Sequence, residues 1–188
     1  MVYVCTEQSD LYQVLTAAGV AGSRCDSLAE ALAAAAPGET VLALAAEYPK
    51  AALEVTAKDL ELARDKLLRL YLEYPAAAPG LTLGPPTPTE WERVAVASDF
   101  FGAELPHLSV LALHGCWYLP TTAPSPHLAV ARVAGYRNAV YGFPEQAWPV
   151  LFELPGHSVL VATSCLSQFV TGRYGPTVAW EVIWRAIL

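Results

Sequence analysis

A chain of 188 residues with 54% hydrophobic and only 15% charged residues can bury one sizeable core and is too apolar to be disordered. Its formal net charge is −7 and its Lys and Arg residues form no cluster, which argues against nucleic acid and anionic membrane surfaces, both of which need a concentrated basic face. No apolar run approaches the roughly 18–20 residues that cross a bilayer, so a soluble chain is expected.

Residues 2–6 form a short apolar, β-branched run without the basic segment of a secretory signal, and read as a first strand. Ser9-Asp10 is an N-cap signal for a helix over 11–18, closed at Gly19. Asp26 or Ser27 caps a second helix over 28–36, ended by Pro37-Gly38. A strand over 40–46 closes at Glu47-Tyr48-Pro49. Thr56, with Asp59 three residues on, resembles a capping box for a helix reaching Lys66. The next strand, 68–72, closes at Glu73-Tyr74-Pro75. Continuous apolar strands separated by helices predict a parallel sheet covered on both faces.

The Pro-, Ala- and Gly-rich stretch 75–88 reads as a loop. Strands are expected over 92–97 and 109–113, then a loop over 120–126, a helix from near His127 and a short apolar segment at 138–141. Strands over 150–153 and 158–162 flank Leu154-Pro155-Gly156-His157, a hairpin signal. Pro176 suits the start of a last helix over 177–187, whose Val178, Trp180, Ile183, Trp184 and Ile187 make an apolar face. The five tryptophans are expected to serve packing. The whole chain, 1–188, thus reads as a single α/β domain. So little charge on so apolar a chain suggests a contact surface for a sister domain or a second subunit, and the apolar Ile187-Leu188 ending fits a segment of a longer polypeptide.

Ligands of open parallel sheets bind beyond the carboxyl ends of the strands, where strand order switches. The expected strand ends carry Glu7, Glu47, Glu73, Asp99 and His114, and the last long strand is followed by Ser164, Ser167, Gln168 and Arg173. Gathered on one edge, the carboxylates would repel and raise at least one pKa unless Arg173 or a metal compensates. Such an edge suits a hydroxyl-rich ligand, a carbohydrate or polyol. The alternative is that each polar residue only marks where a strand meets solvent, with Arg173 clamping the final loop.

As an alternative function, a hydrolase, Cys116 in His114-Gly115-Cys116-Trp117 is a candidate nucleophile with His114 as its base. Trp117 and Tyr118 are too bulky for a nucleophile elbow, and Cys165 also lacks a glycine frame. Glu73 and Asp99 form an alternative acid/base pair acting through water. Cys5, Cys25, Cys116 and Cys165 make no C-x-x-C, and His107, His114, His127 and His157 make no H-x-x-x-H. Neither a zinc site nor a dense disulfide framework is expected, a reducing, cytoplasmic compartment is the simpler assumption, and no nucleotide loop or other cofactor motif is present. A metal held by the edge carboxylates is a third possibility.

The Glu73-Tyr74-Pro75 strand end and the stretch 156–188, with its strand over 159–163, Leu166-Ser167-Gln168-Phe169, Gly172-Arg173-Tyr174 and Trp-rich helix, resemble the class I glutamine amidotransferase-like fold. The flavour is its non-amidotransferase branch, which includes trehalose-utilisation-type proteins and the middle domain of some β-galactosidases, packed between subunits. The resemblance implies a flavodoxin-like three-layer sandwich with a mostly parallel sheet. Amidotransferases of this fold carry G-x-C-x-G after a central strand and a His-x-Glu pair near the end, whereas this chain has Glu73-Tyr74-Pro75 and no His-x-Glu after residue 157. The resemblance therefore implies a structural or ligand-binding module beside carbohydrate-processing proteins, with Glu7, Glu47, Glu73 and Arg173 lining any pocket.

Overall fold

The structure is a computed structural model that describes residues 1–50, 52–113, 115–173 and 177–188. Its first half runs β1 (Val2–Val4), α1 (Asp10–Ala17), β2 (Ser23–Cys25), α2 (Leu28–Ala34), β3 (Thr40–Ala43), β4 (Leu53–Glu54), α3 (Ala57–Asp65), β5 (Arg69–Glu73) and β6 (Pro75–Ala77). The second half runs β7 (Thr87–Pro88), β8 (Arg93–Val96), β9 (Val110–Leu111), β10 (Trp117–Tyr118), β11 (Leu128–Ala131), β12 (Ala147–Glu153), β13 (Val159–Ala162) and α4 (Val178–Ile187), with 3-10 turns at Gly102–Glu104 and Leu166–Thr171.

Nine strands form one mixed sheet in the order β2-β1-β3-β5-β13-β12-β11-β8-β9. From β2 to β13 every neighbour is parallel, and from β13 to β9 every neighbour is antiparallel. The two-residue side-chain period of a strand sends successive residues into different cores. Val2, Val41, Leu70 and Val159 join Leu28 and Leu32 of α2 and Leu60 of α3. Tyr3, Leu42 and Tyr71, one position on, join Leu11 and Leu15 of α1 and Trp180, Ile183 and Trp184 of α4. Helices thus bury both faces of the parallel strands, which explains why those strands carry no polar alternation.

Local signals hold the helices in place. The Thr56 hydroxyl accepts the Asp59 amide at 3.3 Å while the Asp59 carboxylate accepts the Thr56 amide at 2.8 Å, a reciprocal cap on α3. At the other end of α3, the Lys66 ammonium donates to the Leu32, Ala33 and Ala35 carbonyls at 2.7–3.0 Å, satisfying the C-terminus of α2.

Several expectations are corrected. β2 intervenes between the first two helices; Ser23 and Arg24 are exposed on this edge strand, so it lacks an apolar run. The segment after His127 is strand β11, not a helix. Its Leu-Ala-Val-Ala run is buried throughout, and periodicity alone cannot tell a buried strand from a helix of that length. The loop over 75–88 contains β6, paired with β4, and β7, paired with β10. The apolar segment 138–141 carries Val140 and Tyr141 into solvent. Residues 154–158 join the antiparallel β12 and β13, whose register pairs Leu151 with Ala162. Pro176 and His114 lie outside the described residues.

In α4, Trp180, Ile183, Trp184 and Ile187 are buried, but Val178 is 77% exposed and does not share their face. Ile183→Ala is therefore expected to cost about 2–5 kcal/mol by opening a cavity, and Val178→Ala less than ~0.5 kcal/mol, in urea unfolding with unchanged m-value. Equal costs would show that α4 presents a different face to the sheet.

Candidate functional site

Strand order reverses direction between β1 and β3: from β1 the chain crosses to β2 on one side, and from β3 it crosses to β5 on the other. The carboxyl ends of strands must splay at such a point. Here they enclose a cleft of about 610 Å³, floored by Val4, Cys5, Leu44 and Ala45 and rimmed by Glu7, Arg24, Asp26, Glu47 and Glu54. Glu7 and Glu47, expected at strand ends, meet in this cleft, and both are exposed. Arg24 and Glu54 carry no signal in the sequence, and Asp26 reads there only as a candidate helix cap, a role the structure gives to Ser27. Arg24 and Asp26 flank the end of the edge strand β2, whose polar character hid them.

The Arg24 guanidinium is held at the wall, donating to the Cys5 carbonyl at 3.2 Å and pairing with Asp26. One cation against four carboxylates leaves the cleft acidic on its rim and apolar on its floor. Burial pushes the Cys5 thiol up to about 11, so the floor presents a neutral group.

Glu73 is elsewhere. It is completely buried behind the cleft and reaches the wall only through the backbone of Ala45. Its Oε1 accepts the Tyr71 hydroxyl at 2.9 Å and the Ser167 amide at 2.8 Å. Its Oε2 accepts the Ala45 amide at 3.0 Å, the Ser167 hydroxyl at 2.7 Å and the Cys165 thiol at 3.4 Å. Burial raises its pKa above the ordinary carboxyl value, and these donors offset the rise only in part. The next residue, Tyr74, has φ 51°, a left-handed turn fixed by its amide bonding to Ala162 at 2.7 Å, and is itself buried.

A second layer of chain roofs this end of the sheet. Leu119 donates to Thr163 at 3.0 Å, and the Tyr48 and Ser164 hydroxyls each donate to the Trp117 carbonyl at 2.8 Å. Cys116 lies inside this roof, 1% exposed, with its amide donating to the Thr89 hydroxyl at 3.2 Å. Cys165 is equally buried, and desolvation with the neighbouring Glu73 charge raises its thiol pKa far above the usual value.

The remaining expected site residues are dispersed. β8 runs antiparallel to β11, so its carboxyl end and Asp99 lie at the rim opposite Glu7 and Glu47, and Glu73 and Asp99 do not form a pair. Arg173 bonds Asp10 Oδ1 at 3.0 Å, while the Thr171 hydroxyl donates to Asp10 Oδ2 at 2.7 Å, fastening the last 3-10 turn to the start of α1. Gln168 lies in that 3-10 turn, where its carbonyl accepts the Thr171 hydroxyl at 3.2 Å. Among the described residues no group of three or more His, Cys, Asp or Glu is placed to hold a metal ion, and no helix is long and apolar enough to cross a membrane.

No protein-family model matches the sequence, and no curated protein is significantly similar to it.

The titration of Glu73 has a definite sign. A carboxyl that holds its proton more tightly in the folded than in the unfolded chain destabilises the fold as it ionises. Its contribution is fully present below the unfolded value near 4.5 and is lost as pH rises through the higher folded value. The stability of the native chain relative to Glu73→Gln is accordingly expected to fall as pH climbs from about 4, read from urea midpoints of the two proteins at each pH. A difference that instead grows with pH would show that the donors, not burial, dominate. The thiols give a second check: Cys116 and Cys165 are expected to react with a mild alkylating reagent at equally low rates in the native protein and rapidly in urea. Fast native labelling of Cys116 would mean that the roof opens.

Proposed function

We propose that the chain is a non-catalytic α/β binding and packing domain that takes a hydroxyl-rich small molecule, a carbohydrate or polyol, in the cleft between the ends of β1 and β3. The observation that carries this reading is the position of the cleft: it lies where strand order switches, the place at which α/β sheets bind ligands. Carboxylates on the rim accept hydrogen bonds from hydroxyls more strongly than neutral groups do, and an apolar floor suits the C–H faces of such a ligand.

The non-catalytic part of the proposal rests on where the reactive groups stand. In an amidotransferase of the fold that this sequence resembles, the nucleophile follows the central strand. Here that position is Tyr74, in a left-handed turn, with Glu73 before it and both residues buried. The parallel order β2-β1-β3-β5-β13 supports a flavodoxin-like three-layer sandwich of this kind, with the antiparallel strands as an extension. Tyr136 and Tyr141, 92% and 86% exposed, supply apolar surface for a sister domain or second subunit in a carbohydrate-processing assembly.

Titration of ¹⁵N-labelled protein with hexoses, polyols and uronic acids tests the cleft. Backbone amides of Thr6, Glu7, Gln8 and Glu47 are expected to shift together, and Glu47→Gln to weaken binding about tenfold, the value of one charge-assisted hydrogen bond. The reading fails if none of these compounds perturbs those amides.

A further inference from the structure

The antiparallel half of the sheet builds a second polar site on the same rim. Registers pair Arg93 with Ala131 and Ala131 with Ala147. One residue beyond each strand, this places Glu92, Arg132 and Gln146 abreast. Because β8 and β12 begin at the rim where β11 ends, the row shares its edge of the molecule with the cleft, several strands away. A hollow of about 310 Å³ opens there, lined by the three polar residues together with Tyr118, Pro144 and Trp148.

Two members of the row hold each other. Glu92 Oε2 accepts the Glu90 amide at 2.9 Å and the Trp91 amide at 3.2 Å, while Oε1 accepts Arg132 Nε at 2.7 Å. Burial pushes the Glu92 carboxyl up, but these donors pull harder and set it at about 2. Arg132 is therefore anchored through Nε, with 65% of its side chain exposed, and its two Nη groups bond no other described residue. Trp148, half-buried against the main core, and the Tyr118 ring provide apolar walls.

We propose that this hollow binds a single sugar ring. The Arg132 Nη groups donate to a pair of adjacent hydroxyl oxygens, the Gln146 carbonyl and the spare lone pair of Glu92 Oε1 accept hydrogen bonds from ring hydroxyls, and the C–H face of the ring lies on Trp148. A guanidinium fork matches two neighbouring oxygens as a single ammonium cannot, and an aromatic wall favours a ring over an extended chain. The inference shares the ligand class of the cleft reading, but the site, its residues and its test are separate.

The test is a ¹⁵N titration with methyl α-D-glucopyranoside, methyl β-D-galactopyranoside and glucuronate, with acyclic sorbitol as the comparison. At least one ring compound is expected to shift the Trp148 indole N–H, the Arg132 Nε–H and the Gln146 side-chain amide together, and sorbitol is not. Gln146→Ala, at an exposed position, is expected to weaken that binding about tenfold; Trp148→Phe retains it and Trp148→Ala abolishes it. No shift in these three groups with any ring compound overturns the site, as does an equal response to sorbitol. Shifts confined to Glu7 and Glu47 would uphold the cleft and overturn this row; shifts confined to the row would do the reverse.

Discussion

One buried carboxylate fastens the carboxyl ends of three adjacent strands. Glu73 ends β5, the middle strand of the β3-β5-β13 group. It accepts the Ala45 amide just past β3 and the Ser167 amide and hydroxyl just past β13. Tyr71, two residues before it, supplies a further donor and packs edge-on against Trp184 of α4, with ring centroids 5.2 Å apart. Burying a carboxylate without a cation costs several kcal/mol, and only a nearly complete set of donors makes it tolerable. Five donors converge on this group. Removing the acid would strand the Ala45 and Ser167 amides inside the core, a loss larger than that of any single hydrogen bond.

That constraint divides the upper rim into regions with different roles. Over β5 and β13 the strand ends are tied together and roofed by the segment around Trp117, so no ligand reaches the acid or the Cys165 thiol. Among the described residues no buried side chain ties the ends of β1 and β3 in this way. The connections from those two strands lead in opposite directions, and the gap between them stays open as the cleft. Beyond β13 the sheet turns antiparallel, so strand starts alternate with strand ends along the rim. Polar residues from the beginning of β8, the end of β11 and the beginning of β12 therefore stand side by side, an arrangement that a purely parallel sheet, whose strands all end at one rim, does not produce.

The sequence foretold features set by local chemistry and missed those set by pairing. The capping box at Thr56 and Asp59 and the helix stop at Pro37-Gly38 are short-range signals, and the elements they bound stand where expected. So do the apolar strands β1, β3 and β5. β2 shows no strand signal because an edge strand needs no apolar run, and β11 is indistinguishable from a helix in the sequence because four buried residues show neither period clearly. The direction of β8 depends on its partner β11, which no residue of β8 encodes, so the sequence does not show that Asp99 stands at the opposite rim. Glu7 and Glu47 were legible as strand ends beside a switch in order. Glu73 was legible by the same reasoning, yet an acid at a strand end has the same sequence signature whether it faces water or five donors. Arg132 and Gln146 had no signal at all, since only the register of three strands brings them to Glu92.

The same carboxylate cannot both staple the sheet and perform acid/base chemistry at its surface. A general acid or base must exchange its proton with a substrate within hydrogen-bonding reach, whereas both oxygens of Glu73 are occupied by the strand ends they hold. Freeing either oxygen would loosen β3 or β13 from β5. The chemical potency that a desolvated acid gains from burial is therefore spent on holding the fold. Among the described residues, the groups exposed at the rim include the carboxylates of Glu7 and Glu47, Arg24 pinned in the cleft and Arg132 anchored in the row. Groups of that kind offer a ligand fixed hydrogen-bonding directions, the property on which the proposed binding sites rest.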